Sequence, residues 1–473
     1  MDRNKIQNRQ AQQALRLAVI PSLLALVIGY SGSALAVQSG VVVAGSGSIG
    51  TKGANTTVSQ LSDKMVVNWK SFDIGKNESV TFNQPTSSSA VLNRVTSADP
   101  TRINGALTAN GRVFVVNPSG VMFGKAAKVD VGSLVATTLN VDDKQFMNSG
   151  AQVLNLEDHQ GSGVVSNDGQ IHATETVALL GSQAINRGTI RAKDVTLGAA
   201  SGVSMETTDS GYKVNLTGAA RDALAANYGE IFAQNGNIEL SAAATGAALA
   251  TVVKNTGTLE ATMAGPHSGD ILLASSNDGS ISVGGNLKTE GSIEIGSASY
   301  YSPLASGGEY ALDNSHGITI AKNATLDAGS GLAIVTKSGD VVLNSGALNG
   351  GVDTTTYVAG NNITVNDRIV NSGRVYLDGG QDVTINAPIK VDSLKVVAGG
   401  NLVQNSNVSG DDVSLHGGDV TLNGVVKANN EIEIAADRTT VLNGKLKAPS
   451  IVVPEDTQNL AGNTAGNVIT TPL

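Results

Sequence analysis

The spacing of short apolar runs constrains this chain more than any other feature. In its C-terminal third, Val375, Leu394, Val413, Ile432 and Ile451 stand 19 residues apart and head the runs Val-Tyr-Leu, Leu-Lys-Val, Val-Ser-Leu, Ile-Glu-Ile and Ile-Val-Val. A second series, Ile363, Val383, Leu402 and Val420, interleaves with the first at spacings of 20, 19 and 18. Each unit therefore reads as two short strands of alternating in and out residues, separated by Gly, Asn and Asp turns. Earlier in the chain the rhythm takes another form. Asn167-Asp168-Gly169-Gln170-Ile171 returns as Asn186-Arg187-Gly188-Thr189-Ile190, as Asn227-Tyr228-Gly229-Glu230-Ile231 and as Asn255-Thr256-Gly257-Thr258-Leu259. A unit this short cannot bury its own apolar face, but stacked units share one continuous core.

The fold class expected is all-β: a right-handed parallel β-helix with an N-terminal cap and short extra-helical excursions. The handedness follows the general rule for parallel crossovers. Composition agrees with this solution. Among 473 residues there are 56 glycines and only 3% aromatics, so a core would be built from small aliphatic side chains. The absence of cysteine removes disulfides, thiolate metal sites and cysteine nucleophiles together. A formal charge of −9 argues against a nucleic-acid partner, and 41% hydrophobic against 15% charged residues argues against disorder.

Residues 1–36 read as a secretory leader outside the fold. Arg3, Lys5, Arg9 and Arg16 precede the apolar run Leu17 to Tyr30, which holds Pro21 and is too short to span a bilayer. Ala34-Leu35-Ala36 supplies the small residues of a cleavage site before Val37. Loss of this leader removes four basic residues and one acidic residue, leaving 27 against 39, a net charge of −12. Two stretches interrupt the repeat. Residues 204–228 include an Ala-rich segment from Gly218 to Asn227 that reads as a short helix or loop excursion. Residues 299–316 gather Tyr300, Tyr301 and Tyr310, which either form a ligand loop or cover a coil edge.

Residues 41–141 carry the single Trp, four of the six Phe and a dense series of motifs. In order these are Val66-Val67-Asn68-Trp69-Lys70-Ser71-Phe72-Asp73-Ile74-Gly75, Val80-Thr81-Phe82-Asn83-Gln84-Pro85, Leu92-Asn93-Arg94-Val95, Ile103-Asn104-Gly105, and Gly111-Arg112-Val113-Phe114-Val115-Val116-Asn117-Pro118-Ser119-Gly120-Val121-Met122-Phe123-Gly124. Together they resemble the secretion domain of filamentous-haemagglutinin-type exoproteins of Gram-negative two-partner secretion systems. The resemblance implies a capped β-helix, recognised in the periplasm by a dedicated outer-membrane β-barrel with POTRA domains, and a chain that ends outside the cell or on its surface. It places transporter recognition at Asn117, Pro118, Ser119, Gly120 and Val121. The family's Asn-Pro-Asn-Gly turn is here Asn-Pro-Ser-Gly, and Ser is also a good turn former.

On the resemblance and the repeat together, residues 37–280 form the secretion-type domain, 281–454 a β-helical passenger and 455–473 a polar tail. Trp69, Phe72, Phe82, Phe114 and Phe123 are expected to plug the N-terminal end of the stack, since a terminal repeat must be covered.

Catalytic and cofactor chemistry find no support. Gly45-Ser46-Gly47-Ser48-Ile49-Gly50 follows a strand-like run, but no helix follows to receive a pyrophosphate. His159, His172, His267, His316 and His416 are scattered, without zinc-ligand spacing. Asp142-Asp143 and Asp411-Asp412 are adjacent, which separates them on a strand or solvates them in a turn. The expectation is a non-enzymatic surface adhesin or haemagglutinin-like rod, without cofactor or metal, meeting a glycan or protein on a host or neighbouring cell. The alternative is a secreted effector of the same pathway, either a polysaccharide-degrading β-helix enzyme or a protein of haemolysin or haem-acquisition type. The sequence leaves the oligomeric state open.

Overall fold

The computed structural model describes residue 37 and residues 39–148, 153–157, 163–208, 211–246, 251–262, 269–277, 279–296, 316–351, 354–371 and 373–472. Ala34 and Ala36 of the leader and Tyr300, Tyr301 and Tyr310 lie outside these residues.

From Lys64 onward the chain winds as a parallel β-helix whose coils each contribute a strand to three faces. A representative coil runs Val164–Asn167, Gln170–Ala173 and Thr176–Gly181, and the next runs Gln183–Asn186, Thr189–Ala192 and Asp194–Ala199. Each strand pairs in parallel with its counterpart one coil later. Register is set by apolar columns. On the first face Met65, Val91, Val113, Leu134, Val177 and Val195 lie over one another. The column continues as Val375, Leu394, Val413, Ile432 and Ile451, the residues of the 19-residue spacing. Ile363, Val383, Leu402 and Val420 stack in the same way on the second face. A one-residue slip would turn each of these side chains outward, so the columns fix the pairing.

Each coil holds three strands where the spacing led us to expect two. In the C-terminal third the additional strand is only Ile369–Val370 or Ile389–Lys390, with a single inward residue and nothing that alternates. Residues 204–228 also differ from expectation. Gly202–Thr208 and Gly211–Gly218 form an antiparallel hairpin, and Leu224–Asn227 returns to the stack as a strand. The alanines of that segment, Ala225 and Ala226, are fully buried, so small size at a crowded position explains them better than helix propensity. Residues 455–473 contain the strand Thr464–Thr471, which pairs in parallel with Lys445–Pro454 and adds a rung where a tail was expected.

Two additions mark the N-terminal part. At the end of the stack, Val41–Ala44 runs antiparallel to Lys64–Trp69, and Gly47–Lys52 antiparallel to Asn55–Gln60. Outside the first face, Asn140–Val141, Val153–Glu157, Gly202–Thr208 and Gly211–Gly218 make a four-stranded antiparallel sheet. A short helix, Asp143–Met147, follows its first strand, capped by Asp142, whose side chain accepts from Gln145 N. This sheet covers a second core made of outward residues such as Leu92, Phe114, Val135 and Leu180 with Leu156, Val203 and Met205. Strands here are therefore buried on both faces, as in Arg112–Val116 and Ser133–Thr137.

Candidate recognition site

The turn at Asn117 is built by its own sequence. Gly120 N donates to Asn117 O at 2.9 Å, closing a four-residue turn with Pro at its second position and Gly at its fourth, the preference of a type I turn. Asn117 Oδ1 accepts from Ser119 N at 2.9 Å, an Asx turn inside the larger one. The amide's other end is used as well: Asn117 Nδ2 donates to Asp99 O at 2.9 Å and to Thr101 Oγ1 at 3.0 Å. Asn117 is thus fully buried and holds the turn against the previous coil. Ser at the third position meets no backbone demand that Asn would meet better. Gly120 is required: its φ is 123°, and a Cβ there would lie 3.0 Å from Val164 O.

Of the five residues expected at this site, the structure brings all into one stacked corner but exposes them unequally. Val121 begins the strand Val121–Phe123, is fully buried, and lies between Thr101 and Val165. Pro118 is exposed and Ser119 half-buried, so these two are the part of the turn open to solvent. Beside it, the preceding corners leave a cleft of about 140 Å³ lined by Lys70, Ser71, Asp73, Asp99 and Pro100 among others. Asp73 is committed there, accepting Arg102 N at 2.7 Å and Ser71 Oγ at 2.8 Å.

The aromatic group expected as a cap divides. Trp69 and Phe72 pack at 5.4 Å, and Phe72 and Phe82 at 6.4 Å between ring centroids, all within the lumen. Gly40 lies on the Trp69 ring, where a Cβ would come within 2.3 Å of it. Phe123 is in the same core. Phe114 is not. It points outward from its strand and packs edge-on against Phe146 and Tyr212 at 5.3 and 5.4 Å, under the outer sheet. The reason is strand alternation: Val113 and Val115 take the inward positions, leaving Phe114 outside.

Two arrangements were not read from the sequence. One is an amide column: Asn167 Nδ2 donates to Asn186 Oδ1, Asn186 to Asn227 and Asn227 to Asn255, each at 2.8 Å, with all four residues fully buried. The glycines two positions later are equally constrained, since a Cβ on Gly188, Gly229 or Gly257 would lie 2.0–2.1 Å from the carbonyl oxygen of the glycine one coil before. The repeated Asn-x-Gly is the signal in the sequence that carries both. The other is a clamp on the outer hairpin. Arg112 Nε donates to Glu175 at 3.2 Å, Ser133 Oγ to the same carboxylate at 3.0 Å, and the Arg112 guanidinium lies 5.2 Å from the Tyr212 ring. Burial pushes the Tyr212 hydroxyl up to about 12.

The paired aspartates have structural partners. Asp142 caps the helix, Asp143 pairs with Arg94 at 2.5 Å, and Asp411 accepts from Asn429 at 2.6 Å. Among the described residues no group of three or more His, Asp or Glu could hold a metal ion.

The family model for the TPS secretion domain, the two-partner secretion module, matches residues 33–295. The chain belongs to this family. It is a filamentous-haemagglutinin-type TPS exoprotein, secreted across the outer membrane to the extracellular space or cell surface, and its TPS domain implies a dedicated outer-membrane transporter. A relative in Haemophilus influenzae, a heme/hemopexin-binding protein, is 32% identical over 264 residues, which are 54% of this chain and 29% of the relative. The tRNA nuclease CdiA of Yersinia mollaretii is 24% identical over 404 residues, covering 79% of this chain and 12% of that protein. The TPS chain thus spans less than a third of either relative. The secretion domain of HMW1 from Haemophilus influenzae superposes with a TM-score of 0.51 at 21% identity, over 92% of this chain and 98% of the other, a likeness of fold.

Proposed function

We propose that this TPS exoprotein works without catalysis as an adhesin-like binding rod, displayed after export to meet a glycan or protein on a host or neighbouring cell. Residues 37–280 are the secretion module and 281–454 the displayed passenger in this reading, with cleavage after Ala36. The observation that carries it is the uninterrupted stack. The apolar columns fix the coils so that outward side chains recur at intervals of ~4.8 Å, and weak contacts can add along the length. The β-barrel transporter with POTRA domains engages the corner carrying Pro118 and Ser119, with Asn117 and Gly120 shaping it. A second reading, haem acquisition, is favoured by the heme/hemopexin-binding relative.

Export from cells with and without the candidate transporter, comparing the wild type with Pro118→Ala and Asn117→Ala, tests the first half. Surface protein that depends on the transporter and falls in both variants supports the reading, and export indifferent to the transporter overturns it. Whole-cell adhesion against haemin binding by the purified chain decides between the two activities.

A further inference from the structure

The third face carries an outward row that nothing above uses. Thr81, Thr108, Asp130, His172, Arg191 and Phe232 occupy equivalent positions on successive coils. At its start lies an open groove of about 330 Å³ that includes Thr81, Thr108 and Asp130. Its polar lining comes from Thr81, Asn83, Thr108, Asn110, Asp130 and Thr174, beside Phe82, Ala109 and Val131, and the Thr81 and Thr108 hydroxyls are 2.9 Å apart. Next along the row, Asp130 Oδ1 and His172 Nδ1 are 2.8 Å apart while both side chains remain more than half exposed. Beyond them the exposed Arg191 guanidinium lies 3.9 Å from the Phe232 ring centroid. Arg191 has no carboxylate partner among the described residues. A guanidinium over a ring face still has N–H groups free for bidentate contact with a carboxylate.

We propose that this row binds an acidic oligosaccharide lying along the stack, its hydroxyls in the groove and a uronate-type carboxylate on Arg191. Coil spacing, ~4.8 Å, is close to the rise of one pyranose in an extended β-linked chain, so consecutive sugars can meet consecutive rungs. Asp130 Oδ1 is held by the His172 ring, 2.8 Å away, rather than left free in the groove. Acidity is the deciding choice of class. The guanidinium already covers the Phe232 ring, which leaves the ring's face unavailable for stacking on a neutral sugar. The proposal names one ligand surface for the binding rod and rests on that reading, but its test uses purified protein and does not depend on export or adhesion.

The experiment is fluorescence polarisation of the secreted chain with a labelled β-1,4-linked oligomannuronate, with the fully methyl-esterified oligomer as the charge-free probe. Binding of the acid form, weakened roughly ten-fold or more by Arg191→Gln and only partly restored by Arg191→Lys, is the expected result. Thr81→Val with Thr108→Val should weaken both probes, and Lys288→Gln, three rungs from Arg191 on the same row, should leave binding unchanged. Because Arg191 is exposed and outside the core, circular dichroism should show its variants folded. Absence of acid-form binding, equal binding of the methyl ester, or an Arg191→Gln protein that binds as well as wild type would each overturn the proposal. Adhesion persisting in Arg191→Gln would overturn this groove's part in it while leaving the rod intact.

Discussion

Two asparagine columns run along this molecule, and they hold their coils in different ways. In the N-terminal part, Asn167, Asn186, Asn227 and Asn255 are sealed from solvent. In the C-terminal part, Asn366, Asn386, Asn405, Asn423 and Asn443 form the same amide chain at 2.8–3.0 Å, but on the outside. A buried amide has no water to fall back on, so each of its bonds must be made within the protein. An exposed one trades a protein partner for water at little cost. The first column therefore makes coil register obligatory, while the second decorates a register already set by the aliphatic core. The outer sheet sharpens the contrast. It gives the N-terminal coils a second core, and Phe114 sits at its centre.

The contrast can be measured by denaturant unfolding. Phe114→Ala removes the ring that Phe146 and Tyr212 pack upon, and should cost about 3–5 kcal/mol. Alkaline titration should show the next effect. The Tyr212 proton is held to about 12 in the fold against about 10 in the open chain, so stability is intact below pH 10 and falls by about 2–3 kcal/mol as pH rises toward 12. Tyr212→Phe should abolish that dependence. Asn186→Ala strands the amide of Asn167 and the carbonyl of Asn227 and should cost about 2–3 kcal/mol, whereas Asn405→Ala on the outer column should change stability by less than about 0.5 kcal/mol. Equal costs at the two sites would remove the distinction between the columns. Smallest is Asp194→Asn. Burial raises the carboxyl of Asp194 above its ordinary value, so its charge costs stability at neutral pH and the cost fades as pH falls. The substitution should raise Tm slightly at pH 7 and leave it unchanged at acid pH.

Much of this was legible in the chain because the core is a column and a column repeats. The 19-residue spacing located two of the three faces, and the motif series of residues 66–124 pointed to the family. What stayed hidden lacked periodicity. The strand Ile389–Lys390 is too short to alternate. Phe114 sits in a strand apolar on both sides, so alternation could not tell inward from outward. The hairpin Gly202–Gly218 packs against coils far from it in sequence, and its glycines and polar residues resembled those of a loop. At the recognition corner the sequence identified the turn but not its division of labour. Whether an Asn presents its side chain or buries it depends on Asp99 and Thr101 in the preceding coil.

The reversed strand at the top of the stack bears on crowding. Every parallel coil edge is a template for another chain, and proteins displayed densely on a surface meet one another often. Val41–Ala44 is only four residues long, opposes the direction of the coils beneath it and carries a bulge between Val42 and Ala44. A neighbouring molecule arriving with an open parallel edge finds too few matched groups to zip onto. At this end polymerisation is discouraged by geometry, even though Val41 and Val43 are exposed and uncharged.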